Sequence, residues 1–134
     1  MKRILKFDEI RSFASWAGFA GADLITATAI AIAESDGDPT AAGDPTRGHS
    51  YGLWQVNVKE HPEYDPAALL GPSYNARAAF QIYRDAGARF DPWSTFKSGV
   101  FKKFVPSDQT ADAAPVSTGL PPDTGASLAG GEKE

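Results

Sequence analysis

Ala29-Ile30-Ala31-Ile32-Ala33-Glu34-Ser35-Asp36-Gly37-Asp38-Pro39 is the stretch that decides how this chain is read. Its apolar part begins upstream, at Leu24 and Ile25, and is apolar nearly all round. A helix with no polar face belongs inside a domain. At 22–34 it is too short to span a bilayer. The run stops at Glu34, where Gly37 suits a left-handed cap and Pro39 forbids continuation. Asp23 is read as the N-cap. A carboxylate here meets burial and the negative end of a helix dipole, and both disfavour its charged form. Cleavage of a glycosidic bond needs such a protonated acid. The plainer reading is a helix-end carboxylate that reaches solvent.

Working outward, Phe7, Ile10, Phe13, Ala14 and Ala17 recur at helical spacing over 7–18, with Trp16 at the edge of the stripe. Residues 36–51 are turn-rich, the place for a short hairpin or irregular loop. Leu53, Trp54, Val56 and Val58 suggest a short strand or helical turn over 52–58. Prolines 62, 66 and 72 mark 59–72 as loop. Ala76, Ala79, Phe80 and Tyr83 form the stripe of a helix over 73–86, with Ser73 as its cap. Phe96, Val100, Phe101 and Phe104 suggest a last helix over 92–104. Residues 106–134 turn to Pro, Ser, Thr, Gly and Ala, with no aromatic, and read as a flexible tail. The expected organisation is therefore one domain over 1–105 and a tail over 106–134.

The 134 residues carry a net charge of −4, which argues against nucleic acid as a partner. There is no cysteine, so disulfides, thiolate metal sites and cysteine nucleophiles are excluded. His49 and His61 are the only histidines and form no His-Glu-x-x-His pattern. They are read as loop residues, with His49 close enough to Ser50 to line a cleft. No metal or cofactor is expected. Lys6, Asp8, Glu9 and Arg11 break up any apolar signal region after the basic start, so synthesis without a signal peptide is expected. No membrane span is expected either.

Four blocks in order resemble the lysozyme-like, soluble lytic transglycosylase (SLT-type) domain. They are the Ala29–Pro39 stretch, Ser50-Tyr51-Gly52-Leu53-Trp54-Gln55-Val56-Asn57, Asn75-Ala76-Arg77-Ala78-Ala79-Phe80, and Pro92-Trp93-Ser94-Thr95-Phe96-Lys97-Ser98-Gly99. Each is weak alone; four in order across 7–104 are specific. The resemblance implies a mainly α (α+β, lysozyme-like) fold, with helices around a buried central helix. It implies cleavage of the β-1,4 bond between N-acetylmuramic acid and N-acetylglucosamine in peptidoglycan. Glu34 would be general acid and then base. Gln55, with the backbone near Ser50 and Gly52, would bind the N-acetyl group. Tyr51 and Trp54 would line the glycan groove, although Trp54 reads equally as core. Asn57 would contact substrate or only fix its loop. Asn75 would support the Glu34 region, with a helix cap as the plain alternative.

Phe96 stands where many members of that family have Tyr, so any hydroxyl assisting Glu34 must come from Tyr51, Tyr74 or Tyr83. Asp36, Asp38 and Asp44 are candidates for a second carboxylate, and all three sit in turns where Asp is common. Without one, Glu34 would deprotonate the substrate's own 6-hydroxyl and leave a 1,6-anhydro end, the route the resemblance favours over hydrolysis. The partners implied are peptidoglycan glycan strands at the bacterial cell wall. Compact versions of the family occur in phages, so residues 106–134 would meet phage tail or other virion proteins. The alternative is a non-catalytic lysozyme-like module that binds glycan or builds a phage tail.

Overall fold

The computed structural model describes residues 4–42 and 49–106. The readings that concern Asp44 and the tail beyond residue 106 lie outside these residues. The chain runs through α1 (Phe7–Ala17), α2 (Gly21–Ser35), a two-stranded hairpin of β1 (Ser50–Tyr51) and β2 (Val56–Asn57), α3 (Pro72–Asp85) and α4 (Ser94–Lys97). Short 3-10 turns lie at Ala68–Leu70 and Val100–Phe104. The architecture is mainly helical, as the sequence predicts.

α2 is the axis of the molecule. Leu24, Ile25, Ala27, Thr28, Ala29, Ile30 and Ala31 are all buried. α1, α4 and the Val100–Phe104 turn pack around it. Small alanines let these neighbours approach, and the larger Leu24 and Ile30 fill the gaps between them. The two buried hydroxyls of α2 bond within the helix. Thr28 Oγ1 donates to the Leu24 carbonyl and Ser35 Oγ to the Ala31 carbonyl, each at 2.8 Å. The helix ends with Asp36 in the left-handed conformation, and Gly37 follows at φ +81°. The Gly37 carbonyl accepts the Leu5 amide, so the N-terminal segment braces this exit.

α1 buries Ile10, Phe13, Ala14 and Ala17, the predicted stripe. Gly18, at φ +133°, ends it where a Cβ would meet the Phe80 ring at 2.6 Å. α3 buries Ala76, Ala79 and Tyr83, while Phe80 is half-buried against the core. Phe19 sits at the centre of an aromatic cluster with Trp54, Phe80, Tyr83 and Phe90.

Four boundaries differ from the sequence reading. Asp23 is not the cap of α2: the N-cap is Ala20, and Asp23 lies in the first turn, where its carboxylate accepts the Tyr83 hydroxyl. Ser73 is not the cap of α3, because Pro72 takes the first helical position and Gly71 the cap. The last helix is broken, since Gly99 at φ +85° separates α4 from the Val100–Phe104 turn. The hairpin spans 50–57, pairing Ser50 with Asn57 and Tyr51 with Val56. It therefore straddles the two segments that the sequence reading keeps apart. Among the described residues, no helix is long and apolar enough to cross a membrane.

Candidate active site

Glu34 opens into a cleft of about 200 Å³ at the C-terminal end of α2. Ser50, Gln55, Val56 and Asn57 of the hairpin line it, with Glu60 and His61 beyond, Ile82 of α3, and Pro92, Trp93 and Ser94 before and at the start of α4. Burial pushes the Glu34 carboxyl above the ordinary glutamate range. Thr95 opposes this shift, because both its hydroxyl and its backbone amide donate to the carboxylate. The Thr95 Oγ1–Glu34 Oε2 bond measures 2.8 Å.

Phe96 packs into an aromatic stack with Phe90 and Phe101. The hydroxyl on Glu34 comes instead from its neighbour Thr95. The tyrosines considered for that role are elsewhere. The Tyr83 hydroxyl is bound to Asp23, the Tyr74 oxygen accepts the Asp65 amide, and Tyr51 packs against the core.

The hairpin turn is held by buried polar bonds. The Asn75 oxygen accepts the Trp54 amide at 2.8 Å, and its nitrogen donates to the Tyr51 and Leu69 carbonyls at 2.8 and 2.9 Å. Gly52, at φ +82°, passes so close that a Cβ would lie 2.1 Å from the Asn75 nitrogen and 2.3 Å from the Leu69 carbonyl oxygen. Two indoles complete the frame. Trp54 Nε1–H donates to the Ala27 carbonyl of α2, and Trp93 Nε1–H donates to the Trp54 carbonyl, both at 2.9 Å. The turn and the start of α4 are thereby tied to the helix that carries Glu34.

This geometry separates the sequence candidates. Glu34, Ser50, Gln55 and Asn57 meet in the cleft. Trp54 does not line the groove: only 1 % exposed, its ring is committed to the core. Asn75 and Gly52 do not line the cleft and hold the hairpin turn instead. Asn75 is fully buried, and the Gly52 amide and carbonyl are taken by Ala41 and Gln55. Tyr51 is half-buried and is not among the lining residues. Asn57 Oδ1 accepts the amides of Lys59 and Glu60, which fixes the loop that carries Glu60 and His61. Gln55, at φ +48°, donates its side-chain amide to the Ala41 and Gly52 carbonyls, and its oxygen is the free end among the described residues.

Asp36 and Asp38 stay out of the cleft. Asp36 is exposed at the helix end, and Asp38 binds the Thr40 amide and hydroxyl. The sequence reading missed Glu60, His61, Ser94, Trp93 and Thr95 as site residues. Among the described residues, Glu60 is the second carboxylate lining the cleft, and His61 rather than His49 is the histidine there. Only Trp93, Ser94 and Thr95 carried a signal, since they fall inside the fourth block.

A carboxyl of raised pKa at the end of a buried helix, facing a hairpin across an open cleft, defines a lysozyme-like site. A family model described as a lysozyme-like domain matches residues 11–95, more than half of the chain, and the chain belongs to that family. The match runs from within α1 to the start of α4 and includes every described residue that lines the cleft. Neither the curated proteins nor the solved structures contain a match. At the level of the family, the fold points to glycosidase or transglycosylase activity on peptidoglycan.

Proposed function

We propose that this chain acts at the bacterial cell wall as a lytic transglycosylase. It cleaves the β-1,4 bond between N-acetylmuramic acid and N-acetylglucosamine without adding water. The observation that carries the reading is Glu34, raised in pKa by burial and aimed into the cleft by Thr95. In its protonated form it donates to the leaving glycosidic oxygen. The substrate's own N-acetyl oxygen stabilises the positive C1 that remains. The Glu34 carboxylate then takes the proton of the 6-hydroxyl while O6 bonds to C1, giving a 1,6-anhydro end and restoring the acid. The free oxygen of Gln55 is suited to accept the N-acetyl N–H. The placement of Asp36 at the exposed helix end and the commitment of Asp38 to Thr40 favour this substrate-assisted route.

Glu60 supports a second reading. It lines the same cleft, and a carboxylate facing the acid could activate water and make the enzyme a hydrolase. The chemical nature of the new ends decides between the two. Anhydro ends, still formed by Glu60→Gln, support transglycosylation. Reducing ends that disappear in Glu60→Gln would overturn it in favour of hydrolysis. A non-catalytic glycan-binding or structural module requires binding of purified peptidoglycan with no new ends at all.

A further inference from the structure

We propose that a second hollow, one turn of α3 away from the Glu34 cleft, seats the stem peptide of the wall strand being cleaved. Arg77 would receive a peptide carboxylate there. The inference rests on peptidoglycan being the substrate.

The hollow, about 230 Å³, is lined by Tyr64, Tyr74, Arg77, Ala78 and Gln81. Buried Ala78 forms its floor, and Tyr64 and Tyr74 meet edge to face with centroids 6.3 Å apart. The Arg77 guanidinium lies 5.3 Å over the Trp16 ring and makes no ion pair among the described residues. It is thus an exposed cation, oriented by an aromatic face and open to a carboxylate. The other end is acidic. Glu63 and Asp85 both act on the Tyr64 phenol, and Asp85 accepts the Gln81 amide at 2.9 Å.

One arginine opposite two acids does not suit a polyanion. It suits a short peptide bearing both carboxylates and an amine, with methyl groups to rest on the tyrosine rings. Stem peptides of the bacterial wall have that composition.

The two hollows are neighbours. His61 lines the cleft, and its ring centroid lies 6.4 Å from that of Tyr64. Ala78 below the second hollow and Ile82 in the first are four residues apart on one face of α3, about 6 Å along the helix. An extended stem of four residues spans about 13 Å. A muramic acid held in the cleft therefore places its own stem within reach of Arg77.

The test is a titration of the full isotope-labelled chain, followed by nuclear magnetic resonance. One probe is the free tetrapeptide stem, the other the peptide-free disaccharide of N-acetylglucosamine and N-acetylmuramic acid. The tetrapeptide should shift the side-chain signals of Arg77 and Gln81, and the disaccharide those of Gln55 and Ser94. Kinetics provide a second measurement. Arg77→Gln should raise KM about tenfold on uncrosslinked glycan that carries stems, the loss of one charge-assisted contact. It should leave kcat unchanged, and KM unchanged on glycan stripped of stems by an amidase. Tyr74→Ala should behave in the same way, with thermal melting to verify that each variant is folded. The inference is overturned if the tetrapeptide leaves Arg77 and Gln81 unmoved, if it shifts the cleft signals instead, or if KM rises equally on both glycans. Peptide shifts at Arg77 without cleavage of either glycan would remove the catalytic reading and leave the peptide site standing.

Discussion

Glu34 sits where two requirements of acid catalysis conflict, and Thr95 sets the balance between them. Burial favours the protonated carboxyl, which can donate, whereas the two Thr95 donors favour the carboxylate left after donation. Activity that depends on the protonated form falls as pH rises through the Glu34 pKa. Thr95→Val removes a donor to the charged form, so the falling limb of the pH–rate profile should move to higher pH, with a lower kcat from the loosened side chain. An unmoved limb would separate Thr95 from the titration. The same shift affects stability. A carboxyl whose folded pKa is raised gives its full contribution below the unfolded pKa, and that contribution is lost as pH rises through the folded value. Glu34→Gln stays neutral throughout, so melting temperatures should show it gaining on the parent chain as pH rises above the ordinary glutamate range.

At the scale of elements, the cleft depends on the hairpin turn, and the turn depends on Asn75. Replacing Asn75 by Ala leaves the Trp54 amide and two carbonyls buried without that partner, a cost of about 3 kcal/mol. Gly52→Ala should cost at least as much, because its Cβ meets the Leu69 backbone, which cannot swing away. Denaturant unfolding measures both. These elements were unequally legible in the sequence. α2 was plain because its apolar residues leave no polar face. Asp23 and Ser73 misled because a capping residue type near a helix start is not a cap until the backbone is known. Asp23 serves Tyr83 across the fold, and Pro72 displaced Ser73. Trp54 belongs to the sugar-groove motif, yet its indole finds a buried carbonyl on α2. Glu60 and His61 lie in a loop outside all four blocks and reach Glu34 only through tertiary folding, so no local pattern could have joined them to it.

At the scale of the molecule, the bonds from Ala27 to Trp54 and from Trp54 to Trp93 make the cleft part of the core. The Tyr83–Asp23 bond ties α3 to the start of the same helix. Burial and Asp23 push the Tyr83 phenol up to about 12. Its folded pKa is raised, so its contribution is complete below pH 10 and is lost as pH climbs toward 12. Tyr83→Phe should flatten the loss of stability in that window while costing about 1 kcal/mol near neutrality. Among the described residues, those that line the cleft fall between Glu34 and Ser94. A chain ended after residue 106 should therefore cleave isolated peptidoglycan at nearly the full rate, and a large loss would give the segment beyond it a part in catalysis.

The most direct test of the account is mass spectrometry of the glycan ends released from purified peptidoglycan by the parent chain and by Glu34→Gln. The account predicts anhydro-ended fragments from the parent and none from the folded variant. Equal cleavage by both would contradict the role assigned to Glu34.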